Sequence, residues 1–509
     1  MGSALLERYD DRIDGVLSCY DRVVITGTLP TVCYAAGMTK FLSANHVRIF
    51  DYPRFAEPLR ELVRERAASL AAEAGATIQH IGKKHIRKEA VVAKVLEQRG
   101  EHRGLVHVIS AMEGCGTYKP WHDKQSHKTY LRPDKGQCLH YYFYFMDAEL
   151  GLIHLRVPTW APFRLQFYCN GHSRLARQMT AEGIDFTAAD NAFTRIADWQ
   201  RAQDLADGFS PEQLHRVLDR YAALCCPVLD VFGQTYHWSL MQVEYATDVV
   251  FRSAATLGPL YEQLTREAVL SVKADQIATF LGRKITPQLA QEIGSQFATR
   301  IEGTCIKHHF GKASIKMYDK FGCVLRIETT TNDVSFFKHH RKVEHRDDLP
   351  TRGLAPVKKT IYSLIDLREI MLGCNRRYLA HLSALDDFSA GVRALGRVTK
   401  PRVIGDKTVK GINFFAAGDS ALLHALQDPK VNIAGIRRGE LLADLAIFSP
   451  NRLSRQLRRL LDPSLRLGQA LGVIKRIKGT YRYYLTKAGR GATAAAERLT
   501  AAVIVPAMI

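Results

Sequence analysis

The chain has 509 residues, 46% of them hydrophobic, and carries 71 Lys and Arg against 51 Asp and Glu, a net charge of +20 at neutral pH. That length suggests about three domains with enough apolar material for their cores, and the cationic excess, spread along the chain, favours a polyanionic partner. No apolar run reaches the roughly 18 residues that span a bilayer. The first twenty residues mix Glu7, Arg8, Asp10, Asp11, Arg12 and Asp14 into their apolar positions, which excludes a secretory leader there and makes the cytoplasm the expected location. The ten cysteines contain no CxxC pair, so a zinc ribbon or thioredoxin-like centre is not expected. Neither a GxGxxG fingerprint nor a phosphate-cradling loop occurs, which argues against ATP-driven chemistry.

Residues 1–200 read as a mixed-sheet α/β domain. Asp21 to Gly27 forms a short buried strand, Met38 to Asn45 a helix and Val47 to Phe50 a second strand. A long helix starts at Pro53 and runs to Ala74, with Gly75 placed to stop it; another spans Lys88 to Arg99, ahead of a strand from Leu105 to Met112. Leu139 to Met146, Leu152 to Val157 and Arg164 to Tyr168 are close-spaced strands, the first two forming a hairpin around 147–151. Between them, 114–136 reads as a polar loop in which Tyr118, Trp121 and Tyr130 alternate with Lys119, Lys124, Lys128, Arg132 and Lys135. Such interleaving suits stacking on single-stranded nucleic acid, and it equally suits an ordinary surface loop. Asp21, Glu113 and Asp147 stand at strand ends, where paired carboxylates of a mixed sheet can hold Mg²⁺ for phosphodiester cleavage.

Residues 201–400 read as an α+β domain. A helix covers Pro211 to Ala223, a strand Tyr236 to Tyr245 passes into a helix through Asp248 to Phe251, and helices follow over Leu257 to Ser271 and Pro287 to Ala298. Three strands come next, Thr304 to His308, Ser314 to Tyr318 and Val324 to Glu328. Glu244 and Asp248 lie four apart at the expected strand-to-helix junction, a spacing that lets them share a cation on a helix. Asp319 and Glu328 on the neighbouring hairpin complete a four-carboxylate candidate site for Mg²⁺, with Lys316, Lys320 and Arg326 clamping a phosphate and Lys307 beside them. The alternative is that these cations simply pair with the acids across the strands. His308, His309, His339, His340 and His345 sit among Lys338, Arg341, Lys342 and Arg346 and read as part of a basic surface.

The run YDKFGCVLRIET, residues 318–329, resembles strands of the replication initiators of small phages and plasmids. That resemblance implies a tyrosine nucleophile, here Tyr318, assisted by a metal. The metal-holding His-hydrophobic-His pair of those enzymes has no counterpart at His308 and His309, which are adjacent and would point to opposite faces of a strand.

Thr399 to Lys410 reads as a linker, and 401–509 as a winged helix. Ser449-Pro450-Asn451 opens a helix with Leu453, Leu457, Leu460 and Leu461 on one face and Arg452, Arg455, Arg458 and Arg459 outside. A basic hairpin follows, with Val473, Ile474 and Ile477 before a turn at Lys478, then Tyr481, Tyr483 and Leu485 before Gly489. Residues 431–490 hold thirteen Lys or Arg against three acids. Such a helix can enter a groove while Lys475, Arg476, Lys478, Tyr481 and Arg482 reach the flanking phosphates. The run GVIKRIKGTYRYYLTKAGR resembles the wing of MarR-type regulators, which implies DNA binding by this segment. Across most of its length, through stretches such as YDRVVITGTLP and MQVEYATDVVF, the chain is similar to bacterial proteins associated with mobile genetic elements.

Two functions are therefore expected. One is a Mg²⁺-dependent endonuclease, strand-transfer or replication-initiator-like protein centred on 236–346; the other is a non-enzymatic regulator, or the protein part of a ribonucleoprotein with a structured RNA. In either, the partner is DNA or RNA, with no membrane, and a homodimer would let the winged helix read two half-sites.

Overall fold

The computed structural model describes residues 4–82, 86–100, 103–285, 292–300, 303–343, 351–386, 395–404, 407–428, 431, 435–461, 471–476 and 480–499. The chain divides into two compact units, Met1–Asp386 and Asp387–Ile509. The expected boundary near 200 is absent because one sheet crosses it, and the boundary expected at 399–410 falls earlier, at 386/387.

The first unit is α/β and built on eleven strands. In chain order these are β1 (Ile13–Thr28), β2 (Ile78–His80), β3 (Gly104–Asp123), β4 (Lys128–Asp147), β5 (Gly151–Pro158) and β6 (Leu165–Asn170). A separate hairpin, β7 (Phe186–Ala189) and β8 (Ala192–Ile196), precedes β9 (His237–Phe251), β10 (Ile293–Arg300), β11 (Gly303–Phe310), β12 (Ala313–Lys320) and β13 (Val324–Thr331). The sheet order is β10-β11-β12-β13-β9-β1-β6-β5-β4-β3-β2, so β1, the first strand of the chain, joins the two halves at the centre. Only the β2–β3 pair is parallel, which makes the sheet mixed, as expected, but mostly antiparallel.

Alternation along each strand sorts the residues onto two faces. One face packs on helices 52–73, 211–225, 254–271 and 364–386 in a continuous apolar core that includes Val23, Ile25, Phe143, Leu155, Phe167, Tyr245, Leu325 and Ile327. The other face is covered in two places. Helices 171–182 and 199–207, with the β7–β8 hairpin, close over Leu17 and Cys19. Helix 88–99 covers Ile109, Ala111, Tyr142 and Tyr144. Between these covers lies a polar strip that includes the exposed residues Arg22 and Met241.

Four expectations fail on local grounds. Val47 to Phe50 is not a strand, since 49–51 is a short 3-10 turn leading into helix 52–73. The strand ending at Tyr245 does not turn helical; β9 runs to Phe251, held on both sides by β1 and β13. Of the helix expected over Pro287 to Ala298, residues 293–298 belong instead to β10, and 287–291 lie outside the described residues. The 114–136 segment is the outer half of the β3–β4 hairpin, paired from Gly114↔Gln137 to Asp123↔Lys128. Tyr118 anchors it by donating to the Val32 carbonyl at 2.8 Å, and the Leu131 amide donates to Thr39 Oγ1 at 2.9 Å.

In the second unit, helix 417–427 is followed by strand 436–437, helices 438–444 and 450–460, strands 474–476 and 482–485, and helix 487–499. The three strands form one sheet with 482–485 in the middle. Leu453, Leu457 and Leu460 are buried as the helical spacing requires, while Leu461 leaves the helix and bridges to Ile474. Gly489 does not end a strand. It lies inside the last helix, where a Cβ would stand 2.0 Å from the Val473 carbonyl oxygen. Lys478 and the apolar tail 501–509 lie outside the described residues.

Candidate metal centre on the central strands

β1 is interrupted by a bulge. Tyr20 pairs with Tyr245 and Arg22 with Glu244, leaving Asp21 as the extra residue. A bulge re-aims the side chain it carries, and here Asp21 turns into the polar side of the sheet, 5% exposed. Helix 171–182 starts against it: a Cβ on Gly171 would stand 2.0 Å from the Tyr20 carbonyl oxygen, so only glycine permits this approach. The Asn170 side chain caps that helix through Oδ1, which accepts from the amides of His172 and Ser173, while its Nδ2 donates to Asp21 Oδ1 at 3.1 Å. Asn191, in the β7–β8 turn, donates to both Asp21 oxygens at 2.8 and 3.0 Å.

Around this acid the central strands gather a buried charge network. Arg326 on β13, fully buried, donates from Nε and Nη2 to the two oxygens of Asp248 at 2.6 Å each, reaches Asp21 at 3.4 Å and donates to the Asn191 carbonyl at 2.6 Å. Its Nη2 also lies 3.0 Å from His172 Nε2, and His172 Nδ1 lies 3.4 Å from Asp21; against the cost of burial, Cys19, Asp21 and Asp248 hold the His172 pKa well above the ordinary histidine value. Lys320 binds the Asn191 side chain and lies 3.5 Å from Asp190. Against the cost of burial, His172, Arg326 and Asn191 hold the Asp21 carboxyl well below the usual carboxylate range. Asp248 is lowered likewise, Arg326 and His172 outweighing burial.

Next to this network, Asp21, Glu244 and Glu328 come from three adjacent strands and each offers an oxygen within 4.8 Å of the others; all three are buried. Glu328 accepts from Lys316 Nζ at 2.5 Å, Tyr318 Oη at 2.6 Å and Thr330 Oγ1 at 3.0 Å. Glu244 accepts from Gln242 at 2.8 Å and has Arg22 at 3.7 Å. Burial, and then the neighbouring Glu328, raise the Glu244 pKa, the mark of a carboxylate whose repulsions are incompletely compensated. Burial works against the Lys316 ammonium, but Glu328 and Glu244 outweigh it and hold its pKa above the ordinary lysine value.

The four carboxylates expected to share a cation do not all converge. Glu244 and Glu328 do, as diagonal neighbours between β9 and β13. Asp248 does not: on a helix it would sit one turn from Glu244, but on a strand four residues span about 13 Å, and Asp248 is committed to Arg326. Asp319 alternates to the opposite face from Lys316, Tyr318 and Lys320, and burial raises its pKa. The missing third acid is Asp21, which the sequence reading placed with Glu113 and Asp147. Those two are engaged elsewhere, Glu113 with Lys88, Arg156 and Tyr142, and Asp147 with Arg220 and Tyr221. A bulge carries no sequence signature by itself, so the convergence of Asp21 with residues more than two hundred positions away was hidden.

Tyr318 does not suit a nucleophile. Burial and Glu328 push its phenol far above the ordinary value, which keeps it protonated. Among the cations, Lys316 and Arg326 belong to the network, and Lys307 stands directly across from Lys316 on the next strand. His308 is a core residue, bonded to Ser295 Oγ at 2.8 Å and Tyr378 Oη at 3.0 Å. In the second unit, Arg452, Arg455 and Arg458 are exposed, whereas Arg459 is drawn onto Asp419. Lys475, Arg476 and Tyr481 are exposed, with Arg476 over the Tyr481 ring at 5.7 Å, and Arg482 is half-buried, donating to the Gly435 carbonyl at 3.0 Å.

The chain matches no protein-family model, no curated protein and no solved structure. Among the described residues, no helix is long and apolar enough to cross a membrane.

Proposed function

We propose that this chain is a nucleic-acid-processing protein of mobile-element type that cleaves or transfers phosphodiesters with a divalent cation, Mg²⁺ by preference, held by Asp21, Glu244 and Glu328. The observation that carries the reading is the meeting of these three carboxylates from three neighbouring strands. Three acids so close repel one another unless cations intervene, and oxygen-only ligands suit Mg²⁺ or Mn²⁺. A bound cation would polarise a phosphoryl oxygen and lower the pKa of a water. Lys316 and Arg22 stand beside the acids to neutralise phosphate charge, and Asn170, Asn191 and His172 fix the orientation of Asp21.

The second unit supplies the polymer grip in this reading. Its order of helix, strand, two helices and two strands is that of a winged helix, in keeping with the MarR-like run. Arg452, Arg455 and Arg458 would face the groove, and Lys475, Arg476 and Arg482 the backbone. The β3–β4 arm adds a second contact, with Arg132 stacked 4.1 Å over the exposed Trp121. In this reading the protein works on DNA or RNA in the cytoplasm, and pairing of two copies would match two half-sites.

One observation favours a purely binding role, as a repressor or ribonucleoprotein component. The buried acids Asp21, Asp248 and Glu328 are already matched by Arg326 and Lys316. The deciding experiment is to purify the protein from its host cells, sequence the nucleic acid that accompanies it, and add Mg²⁺ or Mn²⁺. Cutting that requires metal and is abolished in Glu244→Gln and Glu328→Gln establishes the enzyme; co-purification with no cutting establishes the binder; protein free of nucleic acid removes both.

A further inference from the structure

Thr26, on β1, lies four residues beyond Arg22 and on the same side of the strand, about 13 Å along the sheet. It lines a cleft of about 370 Å³, a size that takes a small ligand. Gln166, across from Thr26 on β6, also lines it, and so does Met241, which is half exposed. Thr26 Oγ1 and Gln166 Nε2 both lie on Met241 Sδ, at 3.6 and 3.4 Å. The walls carry the indole of Trp160 and the rings of Pro158 and Pro162.

The chemistry of the lining narrows the occupant. The exposed Arg164 lines the cleft together with Arg156, which is paired with Glu113, and no Asp or Glu lines it among the described residues, so it suits an anionic ligand rather than a cationic one. Planar and apolar walls beside side chains with both donors and acceptors suit a heterocycle. His140 contributes an uncharged imidazole: burial and Arg156 push its pKa down to about 4, and its Nδ1 donates to the Cys138 carbonyl at 3.0 Å. Its other nitrogen is then a neutral acceptor.

We infer that this cleft is a nucleotide subsite, taking one unstacked base of a single strand against Trp160 and Met241 with its phosphate on Arg164. This rests on the reading of the central strands as the place where a phosphodiester is handled. Between the cleft and the three carboxylates run Gln242 and Arg22, the latter over the Tyr168 ring at 5.8 Å. The polar strip is therefore continuous. Its length corresponds to about four stacked nucleotides at 3.4 Å each, so a strand seated in the cleft would cross the carboxylates a fixed few nucleotides away.

The test uses the full chain in EDTA, where no cutting can occur. Single-stranded DNA and RNA 12-mers are compared with versions that carry one abasic site at each position in turn. The subsite predicts a loss of affinity of ten-fold or more at one position, a flat profile in Met241→Trp, which fills the cleft from an exposed position, and uniformly weaker binding with the profile kept in Arg164→Ala. A flat profile in the unaltered protein overturns the inference and leaves metal-dependent cutting untouched, and no binding of any 12-mer overturns it as well. A one-position profile in a protein that never cuts with Mg²⁺ keeps the subsite and removes the nuclease.

Discussion

Asp248 and Arg326 face each other across β9 and β13, and the arginine donates two hydrogen bonds of 2.6 Å to the carboxylate, with both side chains at most 2% exposed. Breaking such a pair leaves a buried charge, at a cost of about 3–5 kcal/mol. Arg326→Met is expected to destabilise the first unit by that order, because Asp248 and Asp21 lose their partner together. The double variant Arg326→Met, Asp248→Leu removes one charge of each sign and is expected to recover part of the loss. Urea denaturation of the three proteins checks this; equal stability of the single variant and the parent would sink it.

Glu244 gives a prediction of opposite sign. Its carboxylate form is disfavoured by burial and by Glu328, so Glu244→Gln is expected to raise the melting temperature in EDTA by about one to a few degrees. The same variant is expected to lose any stabilisation by Mn²⁺, because mass action stabilises only a fold that binds the ion. Thermal melts with and without Mn²⁺ read both effects. Undiminished Mn²⁺ stabilisation in the variant removes Glu244 from the site.

Acid sensitivity follows from buried histidines. Burial first, and then the neighbouring His381 and His309 for His308 and Arg156 for His140, push these two rings down to about 4 each. The unfolded chain protonates these rings near 6.5, so it binds more protons than the fold between pH 6.5 and about 4. Their neutral burial therefore contributes fully above pH 6.5, and stability falls as the pH drops through that window, by up to about 1.4 kcal/mol per pH unit for each ring. His308→Gln should make the dependence shallower. Urea midpoints at pH 7.5, 6 and 5 measure it, and a pH-independent midpoint contradicts the assignment.

Two arginines on one helix should behave differently. Arg455 is exposed, while Arg459 is ion-paired with the buried Asp419. Arg455→Ala is expected to weaken nucleic-acid binding and reduce the salt slope by about one, with little effect on stability. Arg459→Ala is expected to destabilise the second unit by about 1–3 kcal/mol through the loss of Asp419's partner. Binding isotherms across a salt series, read with melting curves, distinguish them.

Helix 52–73, helix 88–99, the hairpin around 147–151 and the strands through 304–328 were legible because their apolar periods are local. The arginine helix and its basic hairpin were legible for the same reason. Two things were not. Whether residues 246–251 continue a strand or turn helical depends on β1 and β13 lying on either side to take up their backbone hydrogen bonds, and no local pattern states that. The candidate centre turns on the same point: helical spacing suggested Glu244 with Asp248, whereas the extended chain separates them and a bulge in β1 brings Asp21 to Glu244 and Glu328 instead. The sequence by itself determined which residues can carry charge and where strongly periodic helices such as 52–73 and 450–460 lie. Only tertiary structure decided which acids meet, because strand pairing joins residues 21, 244 and 328 through hydrogen bonds that sequence distance does not constrain.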